Sequence, residues 1–216
     1  IFAKRRRGEP ILDPDDWDEQ RMPTPHARSA VASIGSSRTL GPQWRSAARR
    51  LGIGRADGVT ALADGARWIW NEAERNLPGA EGVLDVFHAS EHLHATAVAL
   101  LGEGPAAEAW FRARRATLLG SGMSALLTEL TAEPAGAEGL VGYLWPHVAH
   151  TPYRRRLAEG RSIGSGLVEG ACKTAVGQRL KQTGARWRVK RPERMAALCC
   201  TWYSDLFDAY WKAAAG

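Results

Sequence analysis

Residues 59–87, VTALADGARWIWNEAERNLPGAEGVLDVF, decide the fold. Residues 59–63 form a short apolar run of strand type, and 82–87 form a second one. Between them, 66–77 have the amphipathic spacing of a helix, which Pro78-Gly79 stops. Because two such strands joined by a helix are typical of neighbouring parallel strands with a right-handed crossover, the sequence predicts a β-α-β unit.

Helices are predicted on both sides of this unit. They cover 42–52, segments near 89–102, 105–119, 122–131 and 137–148, a helix from about 166 to 181, and a last helix from 192 to 212. A sheet of only two strands is marginal by itself. The expected fold class is therefore α/β and predominantly helical, with an incomplete sheet.

Composition divides the chain into four parts. Residues 1–40 are rich in Pro, Asp, Ser and Arg and show little periodicity, so an irregular segment is expected. Residues 41–88 contain the β-α-β unit, 89–160 are helical, and 161–216 contain a basic stretch and the terminal helix.

The overall composition excludes several protein classes. The chain has 216 residues, of which 44% are hydrophobic and 24% charged, as in ordinary globular domains. No apolar stretch approaches 18 residues and the first residues do not form a signal peptide, so neither a membrane span nor secretion is expected. Cys172, Cys199 and Cys200 form no CxxC motif, which indicates buried thiols in a reducing, cytoplasmic environment.

The positive charge is concentrated near the C-terminus. The net charge is +6, and residues 154–194 carry twelve basic and three acidic side chains. The rest of the chain has a small acidic excess. Such a block is expected of a site for a polyanion, although a solvated basic face is an equal alternative.

Asp64 is the first candidate functional residue. It follows a predicted strand and precedes Gly65, which allows a tight turn. A carboxylate at this edge can bind a divalent cation, a hard ion that prefers oxygen ligands. The alternative is that Asp64 only caps the following helix. The similar Asp57-Gly58 precedes the strand and is interpreted as a turn.

Asp85 and His88 form the second candidate group. Strand alternation would place Asp85 and Phe87 on one face, with His88 at the start of the next helix. A carboxylate and an imidazole there can orient one another or a phosphate. His88 and His92 share a helix face, so a zinc site with a nearby carboxylate is an alternative, as are surface histidines without a ligand.

Glu169 is the third candidate, inside the basic stretch. Helical spacing predicts that Glu169 borders a buried stripe, from which it could reach a cleft. The alternative is an exposed ion pair with Lys173. The members of the predicted buried stripe are Val168, Cys172, Val176 and Leu180.

Basic side chains follow Glu169 and are candidates for binding DNA phosphates. They are Lys173, Arg179, Lys181, Arg186, Arg188, Lys190, Arg191 and Arg194. Such contacts give salt-dependent affinity without reading the base sequence. Trp187 lies among them and could stack on an unpaired base or serve as a core anchor. The aromatic residues of the last helix, among them Trp202 and Trp211, are expected in the core.

Several of these motifs together resemble a known family. DGARWIWN at 64–71, DVFHASEHL at 85–93 and GSGLVEGACK at 164–173 resemble the ISKra-type insertion-sequence transposases. VGQRLKQ at 176–182 and Arg186-Trp187 continue the match in the same order. The resemblance extends from about Lys4 to the C-terminus. It implies a DDE transposase whose RNase H-like core is interrupted by a helical insertion.

The resemblance also implies roles for individual residues. Asp64 is similar to the second catalytic acid and Glu169 to the final glutamate, so both would bind Mg²⁺ or Mn²⁺. Asp85 and His88 match a D-x-x-H motif and would belong to the catalytic group. The implied partners are the inverted repeats at the ends of the transposon, target DNA, and further copies of the chain in a transpososome.

The first aspartate of the family has no counterpart in this sequence. It would lie upstream of Ile1, because the cluster at 13–18 is in a Pro-rich stretch without a strand pattern. The chain alone is therefore expected to be inactive. Two other functions stay open: a non-catalytic DNA-binding remnant of a transposon, and a zinc-dependent hydrolase that uses His88 and His92.

Overall fold

The computed structural model describes residues 26–133, 136–181, 184, 186–188 and 190–214. The Pro-rich start of the chain, including the aspartates at 13–18, lies outside them. The chain divides into two compact units. The first unit includes Thr60–Ala66 and Glu81–Gly164, and the second includes Thr24–Val59, Arg67–Ala80 and Ser165–Gly216.

Helices dominate the secondary structure. In chain order the elements are α1 (Leu40–Arg50), β1 (Thr60–Ala63), α2 (Arg67–Asn76), β2 (Glu81–Leu84), α3 (Val86–Leu101), α4 (Pro105–Gly120), α5 (Met123–Thr131), α6 (Glu138–Leu144), α7 (Tyr153–Ala158), α8 (Gly166–Cys172), α9 (Gln178–Leu180), α10 (Lys190–Tyr203) and α11 (Phe207–Ala214). Short 3-10 helices cover Ser37–Thr39, Ile53–Arg55 and Trp145–His150, and Lys173–Gly177 form a π-helical stretch between α8 and α9.

The sheet of the first unit consists of β1 and β2 in the part of the chain that the structure describes. The strands are parallel, and the register pairs Thr60 with Glu81 and Ala63 with Leu84. The prediction of a predominantly helical α/β fold with a small parallel sheet is confirmed.

The predicted end of the second strand is wrong. β2 ends at Leu84, and Val86 already belongs to α3. The Asp85 carboxylate accepts a hydrogen bond from the Phe87 N–H at 2.7 Å, so Asp85 is the N-cap of α3. A capped first turn replaces the strand backbone, and Asp85 and Phe87 therefore do not share a strand face.

One hydrophobic core fills the first unit. It contains Val83, Leu84, Val86, Ala89, Leu93, Leu118, Leu119, Met123, Leu126, Leu127, Leu130, Ala137, Leu140, Leu144, Tyr153, Leu157 and Ile163. Tyr153 is fully buried, and its hydroxyl donates to the Leu84 carbonyl oxygen at 2.9 Å. The Val86 N–H donates to the Ile163 carbonyl oxygen at 3.0 Å, so the end of β2 is held by both neighbouring segments.

A buried arginine holds the beginning of both strands. Arg156 on α7 donates to Thr60 Oγ1 at 3.3 Å and to the Ser162 carbonyl oxygen at 3.0 Å. Arg155 and Arg156 both form ion pairs with Glu81. Burial raises the pKa of Glu81, but the hydrogen bonds and charges of the two arginines outweigh it and lower the pKa below its usual value.

The second unit joins elements that are distant in sequence. Gly41 of α1 lies directly against Asn76 of α2, because a Cβ at position 41 would meet Asn76 Nδ2 at 2.6 Å. Near the C-terminus, the buried Ser204 hydroxyl accepts the Ala30 N–H at 2.9 Å. Arg28 lies over the Tyr203 ring, 4.8 Å from its centroid.

The predicted continuous last helix is wrong, as is the burial of its aromatic residues. α10 ends at Tyr203 and α11 begins at Phe207, with Asp205 at a positive φ of 56° between them. This break gives the two helices separate axes, so one buried stripe no longer runs through both. Trp202 is 61% exposed, and Tyr210 and Trp211 are about half exposed.

The predicted buried stripe around Glu169 is also wrong at two positions. Val168 and Cys172 are exposed, whereas Ala175 is the buried residue of this segment. The π-helical stretch Lys173–Gly177 then changes the helical period, so the half-buried Val176 and Leu180 do not continue the side of α8 that carries Val168 and Cys172. The three cysteines are free thiols, and of these Cys200 is buried.

Within the described ranges, no helix is both long enough and apolar enough to cross a bilayer.

Candidate functional site

The carboxyl ends of the two strands bring Asp64 and Asp85 next to each other. Ala63 and Leu84 end their strands and are partners in the register, and each aspartate follows directly. The Asp85 N–H donates to the Ala63 carbonyl oxygen at 2.7 Å. Since paired strands lie about 4.8 Å apart, the two aspartates occupy adjacent positions at the edge where α/β sheets place their sites. The predicted location of Asp64 at a strand end is confirmed, and Asp85, which was predicted inside the second strand, lies directly after it.

The turn at Asp64 is held from two sides. Asp64 is exposed, and its carboxylate accepts the Ala66 N–H at 3.0 Å. Its carbonyl oxygen accepts a hydrogen bond from the Tyr143 hydroxyl at 3.3 Å. Gly65 has a φ of +94°, and a Cβ there would approach His147 Nε2 and Leu84 Cδ1 to 2.9 Å. Both the backbone conformation and the close neighbours therefore require glycine at position 65.

Asp85 is buried, unlike Asp64. In addition to capping α3, it lies near the loop that precedes α8, because a Cβ at Gly164 would come within 3.9 Å of Asp85 Oδ1. The same Cβ would approach the Phe87 ring to 2.7 Å. The Phe87 ring, which is nearly half exposed, thus rests on the backbone of Gly164.

Five aromatic rings form a cluster beside the Asp64–Gly65 turn, which Tyr143 and His147 contact. We call it the imidazole cluster, and its members are His88, His92, Tyr143, His147 and His150. His92 stacks on Tyr143 with ring centroids 3.8 Å apart, and His88 meets His92 edge-on at 5.0 Å. His147 lies 5.5 Å from Tyr143 and 6.1 Å from His150. His88 Nδ1 is 3.2 Å from Glu91 Oε2, so this carboxylate orients the His88 ring.

Three members of the imidazole cluster were missed by sequence reasoning. Tyr143, His147 and His150 lie far from the aspartates along the chain, in α6 and in the 3-10 helix Trp145–His150. Their spacing of four and three residues puts them on one helical face. That polar stripe in an otherwise apolar segment was the available signal.

Burial and neighbouring charges shift the pKa values of four members of the imidazole cluster. Burial, with the charges of Asp64, Asp85 and Glu91, raises the pKa of Tyr143 to about 12. Burial and the neighbouring His88 lower the pKa of His92, against an opposing effect of Glu91. Burial also lowers the pKa of His147, with a contribution from His150, and the pKa of His150 itself. At neutral pH the phenol is therefore protonated and these imidazoles are neutral.

We expect the folded chain to lose stability as the pH falls below 6.5. The pKa of His92, His147 and His150 is lower in the folded state than the usual 6.5, so the unfolded chain binds protons first. The free energy of unfolding then decreases by at most about 1.4 kcal/mol per pH unit for each extra proton that the unfolded chain binds. The lowered pKa of Glu81 also stabilises the folded chain, but this stabilisation is lost only below the unfolded pKa of 4.5, and so not between pH 6.5 and 5.5.

Urea unfolding at pH 7.5 and pH 5.5 checks this expectation. His147→Gln should lose less stability between the two pH values than the unmodified chain. His94→Gln is the matched control, since His94 is exposed and lies outside the imidazole cluster. If the free energy of unfolding falls equally in all three proteins, the pH dependence does not come from His147.

The other predicted site residues lie in the second unit. Glu169 is exposed on α8. Lys173, Arg179, Lys181, Arg186, Arg188 and Arg191 are exposed, as is Arg194. Within the described part of the chain none of these seven cations forms an ion pair with a carboxylate. Trp187 is 39% exposed, and Lys190 is the first residue of α10.

The donor groups for a metal are incomplete in the described ranges. No three His, Cys, Asp or Glu side chains there are grouped so that they could hold a metal ion. The oxygen donors of Asp64 and Asp85 nevertheless suit Mg²⁺, which proteins often bind through one or two carboxylates together with a substrate phosphate.

Comparisons with known proteins give no assignment. No protein-family model, curated protein or solved structure matches the chain.

Proposed function

We propose that this chain is part of a DDE-type transposase with an RNase H-like core, which cleaves and joins DNA strands at the ends of an insertion sequence. The observation that carries the proposal is the adjacent placement of Asp64 and Asp85 at the carboxyl edge of two parallel strands. The resemblance of the surrounding motifs to ISKra-type transposases gives these two carboxylates their proposed roles.

By the resemblance, the proposal gives Asp64 of the first unit and Glu169 of the second the role of binding Mg²⁺ or Mn²⁺; both carboxylates are exposed. Two such ions supply activation of the attacking oxygen and stabilisation of the leaving oxygen in phosphoryl transfer. The chain's own contribution at Asp64 is positional. Tyr143 holds the Asp64 carbonyl oxygen while the carboxylate stays exposed, and the neutral imidazoles nearby add no competing positive charge.

DNA is the proposed partner of the second unit. Its exposed cations, which form no ion pair among the described residues, can neutralise phosphates. Self-association in a transpososome and a cytoplasmic location belong to the same proposal. The free thiols of Cys172, Cys199 and Cys200 agree with a reducing compartment.

A Mn²⁺ titration in the presence of duplex DNA tests the metal assignment. We expect Asp64→Asn and Glu169→Gln each to weaken Mn²⁺ binding by about tenfold or more, as expected when groups at a metal site are removed. Asp57→Asn is the matched control, since Asp57 also precedes a glycine and is exposed. Bound Mn²⁺ is read by electron paramagnetic resonance. Unchanged affinity in both variants would contradict the assignment.

The exposed cations of the second unit also suit a protein that binds DNA without cleaving it. This non-catalytic DNA-binding remnant would bind DNA with the same affinity in EDTA and in Mg²⁺. The catalytic chain would bind more tightly when the metal is present.

A further inference from the structure

Trp202 is a large apolar side chain that the second unit leaves open to solvent. It is 61% exposed at the end of α10, where the sequence pattern predicted a core residue. Exposed tryptophans often mark a binding surface, because burying the large indole ring against a partner contributes favourable free energy to binding. What covers Trp202 can be inferred from its neighbours on the same helix.

Trp202 shares its helix face with positive charge. At 100° per residue, Arg191, Arg194, Leu198 and Trp202 fall within an arc of about 80° on α10. Arg191 and Arg194 are exposed, and Leu198 is half buried below them. Glu193 lies on the opposite side of the helix, so the face carries two cations and one exposed aromatic ring. We call it the Trp202 face.

The end of α10 is held in a defined conformation. The Asp205 N–H donates to the Trp202 carbonyl oxygen at 3.1 Å, and the Leu206 N–H donates to the Thr201 carbonyl oxygen at 3.0 Å. Ser204 is buried and accepts the Ala30 N–H. The acidic Asp205 is paired with Arg28 at 3.5 Å. The indole is therefore presented from an ordered helix end, next to a carboxylate that already has an ion-pair partner.

We propose that the Trp202 face binds single-stranded DNA. An unpaired base stacks on the Trp202 indole, and Arg191 and Arg194 neutralise the phosphates that follow along the helix. Stacking is available to every base, so this contact favours unpaired strands over duplex without selecting a sequence. The inference rests on the proposed function, which exposes unpaired DNA when strands are cleaved. Charge complementarity argues for this occupant over a second copy of the chain, whose own Trp202 face would bring the same positive charges together.

Parallel titrations with a fluorescently labelled single-stranded oligonucleotide and with the corresponding duplex test the inference. We expect Trp202→Ala to weaken single-strand binding roughly ten- to hundredfold, the usual effect of losing a base–aromatic stack. Duplex affinity should change by less than about twofold, because phosphate contacts dominate there. Trp202→Phe keeps an aromatic face and should restore most of the single-strand affinity.

Trp145→Ala is the matched control and should leave both affinities unchanged, since Trp145 is, at 66%, the most exposed tryptophan among the described residues of the first unit. Equal single-strand affinity of Trp202→Ala and the unmodified chain overturns the inference. If Trp202→Ala reduces self-association in sedimentation but keeps its single-strand affinity, the Trp202 face binds a second copy of the chain and the inference is overturned. Failure of the duplex to bind any of these proteins would instead contradict the proposed function.

Discussion

Replacing Arg179, Arg186 and Arg188 together with alanine should reduce the affinity of the chain for duplex DNA by roughly a hundredfold at 0.1 M salt. All three side chains are exposed in the second unit and lack an ion-pair partner among the described residues. For each phosphate contact that is lost, about 0.9 fewer counterions are released when the chain binds DNA. The slope of log affinity against log salt should therefore become shallower by about 2.7.

Fluorescence anisotropy across a salt series measures both quantities. The matched control replaces Arg55, Arg67 and Arg112, which are exposed, lie outside the basic stretch, and change the net charge equally. If the control loses as much affinity and slope as the triple variant, binding depends on total charge only. That outcome would contradict a DNA interface in residues 173–194.

Tyr153→Ala should cost the first unit about 3–5 kcal/mol of folding free energy, as is typical when a large aromatic core residue is truncated. Tyr153 is fully buried in the core and is the largest of its fully buried side chains. Its hydroxyl also satisfies the Leu84 carbonyl oxygen at the end of β2. Tyr153→Phe keeps the ring and should cost about 1–2 kcal/mol, because a hydrogen bond to a buried carbonyl is lost.

Urea unfolding followed by circular dichroism gives these free energies. Tyr210→Ala removes a tyrosine that is about half exposed on α11, and its effect should stay within about 0.5 kcal/mol. The expected order of stability is therefore Tyr210→Ala, Tyr153→Phe and then Tyr153→Ala. If Tyr153→Ala is as stable as the Tyr210 variant, Tyr153 does not hold the sheet against α7.

Local patterns predicted much of the fold correctly. The apolar run at 59–63 and the amphipathic spacing at 66–77 predicted β1 and α2 to within about one residue, with Asp64 directly after β1. These signals are local: strand runs, helical periodicity and the stops at Pro and Gly depend on residues close in sequence.

The errors occur where two local signals compete. Val86 and Phe87 continue the apolar run of β2, but the Asp85 cap begins a helix there. At the C-terminus the aromatic spacing continues through Ser204, whereas the chain turns at Asp205. In each case the hydrogen bonds of a helix end outweigh the pattern of apolar residues.

The sequence by itself determined the predominantly helical α/β class, the order of the elements around the β-α-β unit, and the concentration of positive charge in residues 154–194. Only the tertiary structure decided that Tyr143 and His147 meet the Asp64–Gly65 turn, and that Trp202 stays exposed. The physical reason is distance along the chain. Contacts between residues about 80 positions apart depend on how the whole core packs, and no local spacing encodes that packing.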